Sequence, residues 1–268
     1  MLVSMLFLGT IPWSAWGLAL LLTAMLGLYG WLANRSSAHA VLTSQPFGLP
    51  DAVCAGILAL WMINIITRSL DTPQMISLQT IILNSVLFSS LVIGIFSVIG
   101  FQKHSAITLF QLHPSSFPKA ATSGLLWLLI SYPLIFVAQE TMQLFTGNSD
   151  DSQLIVRYFV EHHDLRHRLA IILMVVIVAP AAEEIIFRGY FYGVIRRYGG
   201  RIPAILTSSL LFAAIHVHLP SVPGLLLLAL ILCFLYERTG SLWAPITLHA
   251  CFNASTIVVL IFWPSLAS

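Results

Sequence analysis

Glu183, Glu184 and Arg188 fall within six residues of one another, in the stretch Ala179-Pro-Ala-Ala-Glu-Glu-Ile-Ile-Phe-Arg-Gly189. The run immediately upstream, Leu169 to Val178, is wholly apolar, so a membrane-spanning helix would carry these three charges into or close to hydrocarbon. A charge at that depth costs about 2.5 to 3.5 kcal/mol on insertion scales, which makes it a candidate functional group by default. A carboxylate there can act as a general base, an imidazole can hold a water, and an imidazole or amide N–H can stabilise a developing oxyanion. The groups available for these tasks in the C-terminal third are Glu183, His216, His249 and Asn253, with Glu184, Arg188 and Phe212 beside them. Glu184 and Arg188 stand at i and i+4 and can neutralise one another on a helix. Phe187 holds the equivalent place for Glu183 and leaves it without a cation.

These groups meet only if the helices bring them to one depth. Glu184 precedes Arg197 by thirteen residues, about 20 Å of helix, and His216 follows Pro203 by the same number on the next, antiparallel segment. His249 and Asn253 are one turn apart on the last span, about 12 and 18 Å from Ser241. Gly189 and Gly193 form a small-xxx-small pair that would let a neighbouring helix approach closely. Taken singly, the Glu184 and Arg188 pair could be structural, a membrane histidine could be an interhelical strut, and the HxxxN face could be packing glue. Their coincidence at one level favours a site.

The elements that position them are membrane helices. Hydrophobic residues make up 58% of the 268, charged residues 8%, and the mean hydropathy is +0.93, which excludes an ordinary soluble domain. The fold class expected is all-α, a polytopic bundle of about eight transmembrane helices. Its spans are expected near 11–33, 52–67, 75–101, 121–145 (with Pro133 as a kink), 169–197, 203–218, 224–236 and 242–262. Residues 1–168 supply N-terminal helices and connecting loops without a motif, residues 169–262 carry the reactive groups, and the whole is one integral membrane unit. The first apolar run lacks a basic segment before it and is expected to be a retained helix rather than a cleaved leader. Cys54, Cys233 and Cys251 lie in apolar segments without ligand spacing and are expected to be small buried hydrophobes. His162, His163 and His167 sit in the polar stretch 146–168, which is expected to be a solvated loop without a tetrahedral ligand pattern. The net charge of +2 is scattered between apolar runs and gives no sign of nucleic-acid binding.

With eight spans, one set of connections holds Arg35, Lys103, Lys119, Arg196, Arg197, Arg201 and Arg238, and the other holds Arg68, Arg157, Arg166 and Arg168. The richer set belongs in the cytoplasm, so both termini are expected outside and the site is expected to open to the cytoplasm.

Glu183-Glu184-Ile-Ile-Phe-Arg188, Phe212-Ala-Ala-Ile-His216 and His249-Ala-Cys-Phe-Asn253 resemble, in order and spacing, the EExxxR, FxxxH and HxxxN motifs of the CPBP family, the type II CAAX prenyl endopeptidases and their bacterial relatives. The resemblance runs from about Leu169 to Val258, and every motif residue is kept. It implies an intramembrane endopeptidase in which Glu183 is the general base, His216 assists or holds the water, His249 and Asn253 stabilise the oxyanion or the substrate carbonyl, and Glu184 is fixed by Arg188. Members have also been described as metalloproteases, in which case Glu183, His216 and His249 would bind a divalent ion, zinc foremost. HExxH is absent, and the metal-free glutamate mechanism, with no cofactor, is the preferred expectation. The expected partners are a membrane-associated peptide or protein substrate and the lipid bilayer, in a bacterial plasma membrane. A non-catalytic self-immunity factor or scaffold is the alternative from another class. A transporter is disfavoured, because the charges form one compact group and no inverted repeat is visible.

Overall fold

The computed structural model describes residues 46–71, 76–146 and 154–263, all within one compact unit, Val41–Ser268. The span expected at 11–33 lies outside the described residues. Among those described, every regular element is helical. Helix α1 is Leu49–Asp71, α2 is Leu78–Phe101, α3 is the single turn Ala106–Leu109, and α4 is Phe117–Thr146, with Pro133 inside it. Helix α5 is Leu154–Glu161, α6 runs continuously over Leu165–Gly199, α7 is Arg201–Ile215, α8 is Val222–Thr239 and α9 is Trp243–Phe262. Among the described residues, six stretches are long and apolar enough to cross a membrane: Leu49–Ser69, Leu78–Phe101, Ala106–Gln139, Leu165–Gly199, Leu219–Thr239 and Trp243–Phe262. The architecture is therefore the expected all-α polytopic bundle.

Local signals explain most boundaries. Ser77 caps α2 by accepting from the Thr80 N–H at 3.1 Å, and Ser105 does the same for α3 through Thr108. The α6–α7 turn needs Gly200, whose φ of +87° lies where a side chain is strained. The carbonyl of Arg196 accepts from its N–H at 3.1 Å, which closes the end of α6.

Two expectations are corrected. Stretch 146–168 is not simply a solvated loop, because Leu154–Glu161 forms a helix with Tyr158 and Phe159 buried on one face. The apolar residues Ile155, Tyr158 and Phe159 recur at helical spacing and pack towards Ile81 and Ile171, which the flanking charges conceal in the sequence. The span expected at 203–218 is shorter. Helix α7 has 15 residues, about 22 Å, and stops at Ile215, so His216 is its terminal residue rather than an interior one.

Packing around the C-terminal helices fixes the site. Phe110, Ile186, Phe187, Tyr190, Phe212, Cys233, Tyr236 and Leu242 form one buried cluster that joins α3, α6, α7, α8 and the α8–α9 turn. Helix α9 lies so close to α4 that a Cβ on Gly124 would sit 2.6 Å from the Ala244 carbonyl oxygen. A Cβ on Gly189 would sit 3.1 Å from the Phe110 ring and 3.2 Å from Leu242, so its small size seats an aromatic ring and an aliphatic side chain. Outward-facing residues of α2, such as Ile82, Leu83 and Val86, are exposed, as lipid-facing positions are. Cys54, Cys233 and Cys251 are free; the expectation of burial is met at Cys233 but corrected at Cys251, which is half-buried, and at Cys54, which is exposed on α1.

Candidate active site

Helix α6 departs from α-geometry twice, at Leu173–Val178 and Glu184–Phe191, both in π form and on either side of the turn Ala179–Glu183. A π turn accommodates an extra residue and so changes which side chains face a neighbouring helix, and such turns concentrate at functional sites. Pro180 accounts for the first. A proline inside a helix has no N–H to give and its ring collides with the carbonyl four residues back, a conflict that a wider turn relieves. The second places Glu184 and Arg188 together, both fully buried.

Glu184 is the hub. Its Oε1 accepts from Arg188 Nη1 at 2.9 Å and from His249 Nδ1 at 2.9 Å. Arg188 also donates from Nη2 to the Ala229 carbonyl at 3.2 Å, and its guanidinium lies 4.4 Å from the centre of the Phe212 ring. A buried ion pair is held well only when its remaining hydrogen-bonding groups are also met. Here α8 supplies a carbonyl and α7 an aromatic face, while Glu184 Oε2 and Arg188 Nε have no hydrogen-bond partner in the protein.

His249 stands between the two glutamates. With Nδ1 engaged by Glu184, its Nε2 points to Glu183 Oε2 at 3.8 Å. Glu183 is buried, and that Oε2 has no hydrogen-bond partner in the protein. An oxygen atom about 2.8 Å from both Nε2 and Oε2 would subtend an angle of about 85° between them, so one water can bond to both. In charge, two carboxylates face one guanidinium, and the group becomes neutral when His249 carries both ring protons.

Phe212 is the plate on which the site is assembled. Fully buried, it meets Phe187 edge-on at 5.3 Å, His249 at 5.7 Å and His216 at 5.0 Å between ring centres. His216 Nδ1 bonds to the Phe212 carbonyl at 2.8 Å, which fixes the proton there and leaves Nε2 with its lone pair. Ser208, also on α7, donates to the Phe187 carbonyl at 2.9 Å and ties α7 to the second π turn. Asn253, one turn beyond His249, donates from Nδ2 to the Val175 carbonyl at 2.9 Å.

The structure thus brings Glu183, Glu184, Arg188, Phe212 and His249 into one contact group. His216 joins it through Phe212, and Asn253 is seated on α6 above the glutamates. Sequence reasoning missed that Glu184 binds His249 as well as Arg188, and it missed the carbonyls of Val175 and Ala229. Among the described residues, no three His, Cys, Asp or Glu side chains are grouped so as to hold a metal ion.

The loop histidines have structural partners. The rings of His162 and His167 stack at 5.1 Å, and Tyr158 stacks on His162 at 3.9 Å. His167 Nδ1 lies 2.6 Å from Asp164 Oδ2, and this hydrogen bond holds the Asp164 carboxyl below its usual range. Arg168 Nη2 lies 2.8 Å from His163 Nδ1.

Comparison with known proteins bears on this same region. Residues 165–255 match the family model described as type II CAAX prenyl endopeptidase Rce1-like, a stretch that contains all seven site residues. A Bacillus subtilis (strain 168) protein, YdiL, named as a candidate membrane peptidase, is 32% identical over 93 residues. That alignment takes in 34% of this chain and 38% of the relative, so the chain matches under two fifths of the length of that curated protein. No solved structure matches the chain at a significant level.

Proposed function

We propose that this chain is an intramembrane endopeptidase that hydrolyses a peptide bond of a membrane-associated substrate, a reading supported by the match of residues 165–255 to the type II CAAX prenyl endopeptidase Rce1-like family model. The observation that carries the mechanism is the buried, unbonded Oε2 of Glu183, 3.8 Å from His249 Nε2. A water held there gives a proton to Oε2 while its oxygen attacks the scissile carbonyl carbon. His216, with Nδ1 committed to Phe212, offers Nε2 to hold that water. The oxyanion receives Nε2–H of the doubly protonated His249 and an N–H of the Asn253 amide, interactions worth about 3 to 4 kcal/mol for a well-placed donor. The proton on Glu183 then passes to the leaving amine nitrogen as the carbon–nitrogen bond breaks. Glu184 and Arg188 hold His249 in place and do not touch the substrate.

The test is a comparison of the membrane peptides of cells carrying the wild type with those carrying Glu183→Gln. New termini within membrane proteins are expected only with the wild type. Identical profiles would favour a non-catalytic scaffold or immunity protein.

The absence of an HExxH pair from the sequence favours metal-free chemistry. A strong chelator is expected to leave turnover intact, and elemental analysis of the purified protein is expected to find no stoichiometric zinc. One tightly bound ion per chain, with activity tracking its occupancy, would overturn the glutamate mechanism.

The excess of Lys and Arg at the α6–α7 and α8–α9 connections supports a cytoplasmic opening in a bacterial plasma membrane. A cysteine introduced at position 198 or 199 is expected to react with an impermeant label from the cytoplasmic side, and one at position 150 from the outside. Labelling of both from one side would refute this orientation.

A further inference from the structure

Asn253 spends an amide hydrogen on a backbone carbonyl of another helix, which a group serving only the substrate has no need to do. The sequence explains why that carbonyl is available. Val175 lies in the first π turn, where a carbonyl is bonded by the N–H five residues on. That residue is Pro180, which has no N–H. The next candidate donor, the N–H of Ala179, goes to the Met174 carbonyl. Val175, half-buried in a membrane-spanning helix, is left without a helical donor where an unmet polar group is costly, and Asn253 Nδ2 supplies the bond at 2.9 Å.

We propose that Pro180 makes the Val175 carbonyl a docking point for Asn253, and that Asn253 thereby positions α9, with His249 one turn away, against Glu183 and Glu184. Pro180 and Val175 are positioning residues acting through Asn253, whose amide carries a second hydrogen for the oxyanion. The bond spans the α6–α9 contact in the π turn that precedes the two glutamates. His249 reaches those glutamates from the same face of α9, since residues four apart are neighbours on a helix. The docking stands on backbone chemistry alone, and only its consequence for turnover rests on the proteolytic reading.

The experiment is a double-mutant cycle on the full chain in detergent, with Asn253→Ala, Pro180→Ala and the two combined, read by Tm and by turnover of a peptide identified in the membrane comparison above. Asn253→Ala strands the Val175 carbonyl and is expected to lower Tm by several degrees. In the double variant, residue 180 has an N–H to offer Val175, and much of that loss is expected to be recovered. Turnover stays low in the double variant, because the bond that seats Asn253 of α9 on Val175 of α6 is gone. The pH profile of turnover is expected to move in Asn253→Ala, because His249 is no longer held at a fixed place between the glutamates. Losses in Tm that simply add, with no recovery, would overturn the docking. A fall in kcat with Tm and pH profile unchanged would also overturn it, since an amide acting on substrate alone gives that result. A wild type without turnover on any membrane peptide would defeat the proteolytic reading, while the Tm cycle would still decide the docking.

Discussion

Glu183→Gln is expected to lower turnover by about 10² to 10⁴-fold, the contribution of a positioned general base, and to leave the protein folded. The separation of the two effects follows from the contacts. Gln keeps the shape of Glu and loses only the ability to take a proton, and Glu183 Oε2 has no hydrogen-bond partner in the protein for the substitution to disturb. The neighbouring residue gives the contrast. Glu184→Gln alters the atom that binds both Arg188 and His249 and is expected to lower stability and turnover together. His216→Ala removes the half-buried imidazole beside Phe212 and belongs with Glu183→Gln, with a fall of similar size. Turnover of a membrane peptide, set beside Tm and elution of detergent-extracted protein as a single symmetric peak, is the measurement. Wild-type turnover by a folded Glu183→Gln would remove this residue from the chemistry.

The adjacent carboxylates behave so differently for a reason only half legible in the chain. The Glu184 and Arg188 pair can be read directly, because i and i+4 face one another on a helix whatever the helix packs against. That His249 joins Glu184 rather than Glu183 alone cannot be read. It depends on two π turns in α6, and one added residue rotates everything beyond it by about 100° relative to a regular helix. Pro180 marks the first of these, but nothing in Glu184–Phe191 marks the second. The early end of α7 was hidden similarly. Val217 adopts a φ of +49°, a region a β-branched residue rarely enters, so the sequence carries no stop signal where the helix stops. Depth was easier to place than rotation, because rise accumulates regularly along any helix. His216, His249 and the glutamates do come to one level. Asn253 lies one turn above that level, with its amide turned to Val175.

Arg188→Ala is expected to be the most destabilising single change at the site, by about 3 to 5 kcal/mol, as for the loss of one partner from a buried ion pair. Arg188 is fully buried, and three things lose their partner at once: Glu184 Oε1, the Ala229 carbonyl and the face of Phe212. Glu184 would keep only His249, and its uncompensated charge would pull on the imidazole that faces Glu183, so turnover falls along with Tm. Arg188→Lys separates charge from shape. An ammonium can neutralise Glu184, yet it cannot reach the carboxylate, the carbonyl and the ring together, because it lacks the flat fork of the guanidinium. It is expected to recover only part of the loss in both stability and turnover. Replacing the pair together, with Glu184→Met and Arg188→Met, removes both charges and keeps most of the volume, which in other buried pairs is neutral or stabilising. That double variant is expected to return close to wild-type Tm and to remain inactive, because His249 has lost the carboxylate that orients it. Thermal unfolding of the four proteins, beside their turnover of one membrane peptide, gives the result. Arg188→Ala with unchanged Tm and full turnover would show that Glu184 and His249 hold their places without the guanidinium.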